Sequence, residues 1–319
     1  MAHHFARRGH EVLAWAREPE VAEGINGEHR NPLFLSDLEL SGALRASHDL
    51  EAVARHSSTW IWAVPTQFSR RIMDRLTGVL RGDVVVISAS KGIETHSLRR
   101  MDELAWEVLN LPGSRFCALS GPTFAREVIL GVPSLAVLAC PELSVAVLLQ
   151  REFSDGHLRC YASRDLVGVE LAGALKNVIA IAAGIVDGLG LGANTQAALM
   201  TRGLHEITRL GVALGADAST FRGLAGMGDL VLTCTGALSR NRSLGRRLGQ
   251  GETLKDILAS MREVAEGVKT APAATRLASG IGVELPISDA VARILAGRIE
   301  PGEALRQLMR RELKEESEL

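Results

Sequence analysis

Cysteine is scarce in this sequence, a surplus of either charge is missing, and no hydrophobic run is both long and unbroken. The four cysteines (Cys117, Cys140, Cys160 and Cys234) contain no C-x-x-C pair. A metal site or a disulfide framework is therefore not expected; three of them lie in apolar, strand-like surroundings, as reduced buried thiols of a cytosolic protein do. Lysine and arginine total 36 against 37 aspartates and glutamates, a formal net charge of −1. That balance gives no footprint of a nucleic-acid binder or a membrane-surface protein. The longest apolar candidate for a membrane span is interrupted by Lys176 and Asn177, so no span is expected. The opening MAHHFARRGHEV lacks the apolar segment of a signal peptide, and a cytoplasmic location is the expectation.

What is present fits two domains with proper cores: 319 residues, 46% of them hydrophobic and 23% charged. The first half alternates apolar strand candidates with helix-length segments, as a parallel, doubly wound sheet requires. The candidates are Glu11–Ala16, Thr59–Val64, Asp83–Ser88, Arg115–Leu119 and Ser134–Leu138, with a last strand at His157–Tyr161. A doubly wound domain starts with a strand and a glycine-rich turn. Here the chain opens on what reads as the back half of the first helix, stopped by Gly9. A late start or a truncation is the expectation. A chain beginning at Met1 is expected to hold pyrophosphate poorly, since the helix N-terminus that would bind it is missing.

Ligands on such sheets bind beyond the C-terminal strand ends. Arg17 follows the first strand, where an arginine suits the 2′-phosphate of NADP, although Glu18 stands beside it. Pro65 fixes a turn after the next strand, with Phe68 just beyond. Lys91, in Ser90-Lys91-Gly92, follows the third, and Ser120-Gly121-Pro122-Thr123-Phe124-Ala125 follows the fourth. Glycine with a small hydroxyl residue at a strand-to-helix turn lets backbone N–H groups approach an oxygen-rich ligand.

Signals turn helical from about Leu166, dividing the chain into 1–163 and 164–319. Lys176 stands alone in an apolar run, with no acid within a helical turn. Burial disfavours the charged form of an amine and brings its pKa toward neutrality, which suits proton transfer. The bland alternative is a lysine that buries its stem and leads its charge to solvent. Gly188, Gly190 and Ala193 satisfy a loose G-x-G-x-x-A, but without a preceding strand they read as a helix exit and turn. Thr195–Leu214 is a second helix. Asp229, after three close glycines, reads as a helix N-cap, with Thr233 one turn on. Ser239-Arg240-Asn241-Arg242 offers a guanidinium fork and hydrogen-bonding partners to a phosphate. The nearby Arg246 and Arg247 lack the aromatic interleaving of a nucleic-acid surface. Helices near Ser288–Leu295 and Gly302–Arg310 precede a frayed tail, Arg310–Leu319.

The motifs GALKN, IAAGIVDG and GLGAN, together with SKG, SGPTFA, SRNR and the VxEG-type segment Val264-Ala265-Glu266-Gly267, resemble the NAD(P)-dependent glycerol-3-phosphate dehydrogenases. The resemblance runs from Met1 to about Leu308. It implies an N-terminally truncated Rossmann-type domain and an all-α substrate domain similar to the C-terminal domain of 6-phosphogluconate dehydrogenase. It also implies reversible NADPH- or NADH-dependent reduction of dihydroxyacetone phosphate to sn-glycerol 3-phosphate for glycerophospholipid synthesis, and a homodimer. By resemblance the catalytic residues are Lys176, Lys91 and Asp229. Gly121, Thr123, Asn177, Thr233, Ser239, Arg240 and Asn241 join them at the substrate, and Arg17, Phe68, Lys91, Ala125, Arg240, Val264 and Glu266 meet the cofactor. A β-hydroxyacid dehydrogenase and a folded, non-catalytic remnant are the rival readings.

Overall fold

The computed structural model describes residues 1–261, 263–313 and 315–316. The chain runs through α1 (Ala2–Arg7), β1 (Leu13–Trp15), α2 (Pro19–Glu28), β2 (Arg45–Ser47), α3 (Leu50–His56) and β3 (Thr59–Trp62). It continues with α4 (Thr66–Asp74), β4 (Val85–Ser88), α5 (Met101–Leu109), β5 (Phe116–Ser120) and α6 (Ala125–Ile129). Then come β6 (Ser134–Ala139), α7 (Leu143–Phe153) and β7 (Leu158–Ser163). Beyond Ser163 every regular element among the described residues is helical. These are α8 (Leu166–Gly188), α9 (Ala193–Ala213), α10 (Ala218–Arg222), α11 (Asp229–Thr235) and α12 (Arg240–Gly249), then α13 (Leu254–Ser260), α14 (Gly267–Gly280), α15 (Pro286–Leu295) and α16 (Pro301–Met309).

Strands β1 and β2 form a parallel pair, and β3-β4-β5-β6-β7 form a five-stranded sheet in sequence order. The expectation of a wholly parallel sheet is corrected at one place, because β5 and β6 pair antiparallel. The reason is the connection. A five-residue α6 advances about 7.5 Å, whereas β5, also five residues, spans about 17 Å. The helix itself falls short of a full crossover, the rest of the connection is turn and coil, and the next strand runs back alongside. No ladder joins β1 to β3. Val12 and Ile61 nevertheless pack on one apolar cluster and Trp15 and Val64 on another, so the two sheets share cores.

Helix α8 is the axis of the helical half. Asp165 caps its N-terminus by accepting from Gly168 N–H at 2.9 Å. Almost every residue from Leu166 to Val186 is buried, because α9, α11, α12 and α14 all pack against it. This explains a composition apolar on every face. The helix does meet the length and hydropathy of a membrane span, contrary to the expectation from its interruption, yet 94% of that window is buried in the protein. Against α12 the approach is close. An added Cβ at Gly184 would collide with Arg242 O, at Gly188 with Arg246 O, at Gly245 with Ile181 O and at Gly249 with Ile185 O. Two glycine pairs, each spaced i, i+4, thus let the two backbones touch. Gly190 has φ +71° and turns the chain out of α8, as expected. All four cysteines are buried and unpaired. Part of the expected frayed tail, Lys314 and residues 317–319, lies outside the described residues.

Candidate active site

Lys176 does not lead its charge to solvent: the residue is 6% exposed. Its Nζ donates to Asp229 Oδ1 and to Thr233 Oγ1, both at 2.7 Å. Burial pulls its pKa down to about 8, the neighbouring Lys91 charge adds to the fall, and Asp229 opposes it. Taking an ammonium out of water costs on the order of several kcal/mol, and the single carboxylate offsets only part of it. Asp229, 1% exposed, is also penalised by burial. Lys91 and Lys176 outweigh that penalty and hold its carboxyl below the usual aspartate range.

Asp229 is not the N-cap that its glycine-rich approach suggests. Gly228 occupies the cap position of α11 without a side-chain bond. The carboxylate instead bridges two amines, since Lys91 Nζ lies 2.7 Å from its second oxygen. Ser120 Oγ donates to that oxygen at 3.4 Å. This serine was missed as a site residue, its only signal being its place at the end of β5. Gly121, next to it, has φ +135°, and an added Cβ would stand 2.9 Å from Leu135 O. Glycine is therefore required where the chain turns beneath the site. Thr123 Oγ1 donates to Gly121 O at 3.2 Å, and Ala125 opens α6.

The proton geometry is determinate. Thr233 Oγ1 gives its own hydrogen to Asp229 O at 2.6 Å, so it accepts from Lys176. Of the three N–H donors of an ammonium, one goes to Asp229 and one to Thr233. The third has no acceptor among the described residues. A substrate oxygen meeting that N–H would face a donor whose deprotonated form turns its lone pair to the same place. Two ammonium groups around one carboxylate leave a net positive charge, which favours an anionic ligand.

The other residues singled out in the sequence have the following surroundings. Arg240 is 53% exposed in its side chain and ion-paired with Glu263 at 3.2 Å. Ser239 caps α12 by accepting from Arg242 N–H at 3.2 Å. Asn241 and Asn177 are buried and bonded to one another at 3.0 Å. Asn177 Nδ2 donates to Lys91 O at 3.2 Å. Glu266 accepts from Thr66 N–H at 2.9 Å and Lys91 N–H at 3.2 Å. Phe68 and Val264 keep 49% and 40% exposure. Arg17 follows β1 and pairs with Glu18 at 2.7 Å.

The strand ends therefore carry a guanidinium after β1, a half-exposed phenyl ring after β3 and an ammonium after β4, where ligands of such sheets bind. Beside them the helical half supplies a buried amine on a carboxylate. Together these features fit a nicotinamide-dependent dehydrogenase. Models of the NAD-dependent glycerol-3-phosphate dehydrogenase N-terminus and C-terminus match residues 1–146 and 165–306. The chain belongs to that family and is an NAD(P)-dependent oxidoreductase. It is 50% identical, over 98% of its own length and 93% of the relative, to the glycerol-3-phosphate dehydrogenase (NAD(P)+) of Citrifermentans bemidjiense. It is likewise 50% identical to that of Geobacter sulfurreducens, over 99% and 95%. Its fold superposes on the crystal structure of the Coxiella burnetii glycerol-3-phosphate dehydrogenase with a TM-score of 0.92 and 33% identity, covering 97% and 94% of the two chains. The hydroxyacid and non-catalytic readings give way to this assignment.

Proposed function

We propose that the cleft around Lys176 reduces dihydroxyacetone phosphate to sn-glycerol 3-phosphate, reversibly, in the cytoplasm and for glycerophospholipid synthesis. The observation that carries the reading is the buried Lys176 amine held by Asp229 and Thr233 with one N–H to spare. NAD(P)H, when bound, supplies the hydride. Arg17, Phe68, Ala125, Val264 and the Lys91 loop would hold it along the strand ends. Lys176 donates a proton to the developing alkoxide, and Asp229 keeps enough of the amine charged to do so. Lys91 adds positive charge where the oxyanion forms. Gly121 and Thr123 line the substrate side. The phosphate is held at the first turn of α12, where the exposed Arg240 guanidinium stands beside the helix N-terminus, so that remote binding energy positions the reacting end. We place the division between dinucleotide and substrate domains at 163/164 and the working unit as a homodimer.

Lys176→Ala is expected to lower kcat about a thousandfold while KM for dihydroxyacetone phosphate moves less than about threefold. Steady-state assay of the full chain checks this. Near-normal turnover in the variant would remove Lys176 from the chemistry, and a non-phosphorylated 3-hydroxy acid as the better substrate would show the α12 reading to be wrong.

A further inference from the structure

The end of β5 reaches Asp229 from the sheet side. Ser120 closes that strand and is 3% exposed. Its Oγ has one hydrogen-bond partner among the described residues, Asp229 Oδ2 at 3.4 Å. Asp229 is held ionised by two lysines, so the hydroxyl must donate. Among the described residues it is the one neutral side-chain donor to that carboxylate, because Thr233 spends its hydrogen on Asp229 O. The next residue meets the opposite charge: Lys91 Nζ lies 3.5 Å from Gly121 O and 2.7 Å from Asp229 Oδ2. Lys91 is the more exposed of that ion pair, 20% against 2% in the side chain. A ligand that draws on its ammonium weakens the hold on Oδ2, and Ser120 is the donor that remains there.

Gly173 explains how the serine comes so near. It lies one turn before Lys176 on α8. An added Cβ would stand 3.0 Å from Ser120 Oγ, with Lys91 Cγ and Cδ at 3.5 and 3.7 Å. The first distance forces a shift, whereas the other two are ordinary contact. A methyl group here therefore displaces the hydroxyl and leaves the lysine stem in place.

We infer that Ser120 is a positioning residue, its hydroxyl holding Asp229 Oδ2 so that the carboxylate stays on Lys176, and that Gly173 is the gap that admits it. This rests on the reading that Lys176, Lys91 and Asp229 carry the reaction. The charged and titratable groups that act on Lys176 are Lys91, from the loop after β4, with Asp229 and the Cys234 thiol from α11. Around the same helix, Arg242 of α12 is paired with Asp187, and Glu206 of α9 accepts from Ser288 N–H of α15 at 3.1 Å. Glu266, ahead of α14, accepts from the Thr66 and Lys91 amides. Removing the Ser120 hydroxyl takes the positive end of a dipole away from Asp229. The surroundings of Lys176 become more negative, which favours its ammonium. The basic limb of the reduction profile should then move up, opposite to the effect of losing the carboxylate.

In the full chain, Ser120→Ala is expected to lower kcat about fivefold, with KM for dihydroxyacetone phosphate and NADPH within about threefold. The basic limb of its kcat/KM profile should rise by about half a pH unit. Gly173→Ala should move the limb the same way. In the double variant it should add less than about a factor of 1.5, since no hydroxyl is left to displace. A limb that stays in place or moves down in Ser120→Ala overturns the inference, even if the unfolding midpoint falls, as a purely structural hydroxyl would have it. Effects of the two substitutions that multiply overturn it as well. Lys176→Ala measured alongside separates the two readings. Activity and limb retained there sink the lysine chemistry, whereas an inactive Lys176→Ala with an unmoved Ser120→Ala limb sinks only the role of Ser120. Should Ser120→Ala not fold, the direction of the Gly173→Ala limb decides.

Discussion

A single amine titrating near neutrality makes the direction of catalysis depend on pH. With the Lys176 pKa at about 8, the protonated donor is present below that value. Reduction of dihydroxyacetone phosphate should therefore decline as pH rises through about 8, whereas oxidation of glycerol 3-phosphate, which needs the free amine, should gain. Asp229 is the charge that holds the amine up against burial. Asp229→Asn is then expected to move the basic limb of the reduction profile to lower pH as well as to slow turnover. Profiles of kcat/KM for the two proteins check it, and a limb that stays in place would separate Asp229 from the titration. The sequence alone makes Lys176 conspicuous, because a lone cation in an apolar run has few explanations. It does not show the carboxylate 53 residues away that decides between burial and escape to solvent. For the same reason Asp229 resembles a cap: local context shows three glycines, and the lysines that claim its oxygens belong to distant elements.

At the scale of elements, alternation and helical spacing located most of the strands and the long helices, although β1, β3 and β4 are shorter than expected, β1 holding only Leu13–Trp15. The three-residue β2 escaped notice because Arg45, Ala46 and Ser47 present no apolar run. The antiparallel β6 escaped because strand direction depends on how far its connection reaches, which composition does not encode. The contact between α8 and α12 was equally hidden. Gly188 reads as part of a helix exit until the partner helix is in place. Gly245→Ala places a methyl group against Ile181 O and should cost about 3 kcal/mol or more of stability through overpacking. A fall in the unfolding midpoint without change in the denaturant slope measures it. An unchanged midpoint would mean that the helices have room to part.

For the whole molecule, the order of the motifs along the chain indicates two cooperating halves, which we propose divide at 163/164. We propose that the dinucleotide preference is set where β1 ends. Replacing Arg17 by Ser should shift the ratio of kcat/KM for NADPH over NADH downward by about tenfold, the loss of one charge-assisted phosphate contact. Equal loss with both cofactors would place the guanidinium elsewhere in the cycle. The glycine pairs of α8 and α12 have a last consequence, for selectivity. On the proposed reading, with phosphate at the first turn of α12 and the proton donor on α8, main chain touching main chain would set the reach from anion to carbonyl. Trimming the side chains that surround the ligand would leave that reach unchanged. Admitting a four-carbon ketose phosphate would then require moving a helix, and the enzyme's sense of carbon count would reside in a contact that no substrate atom meets.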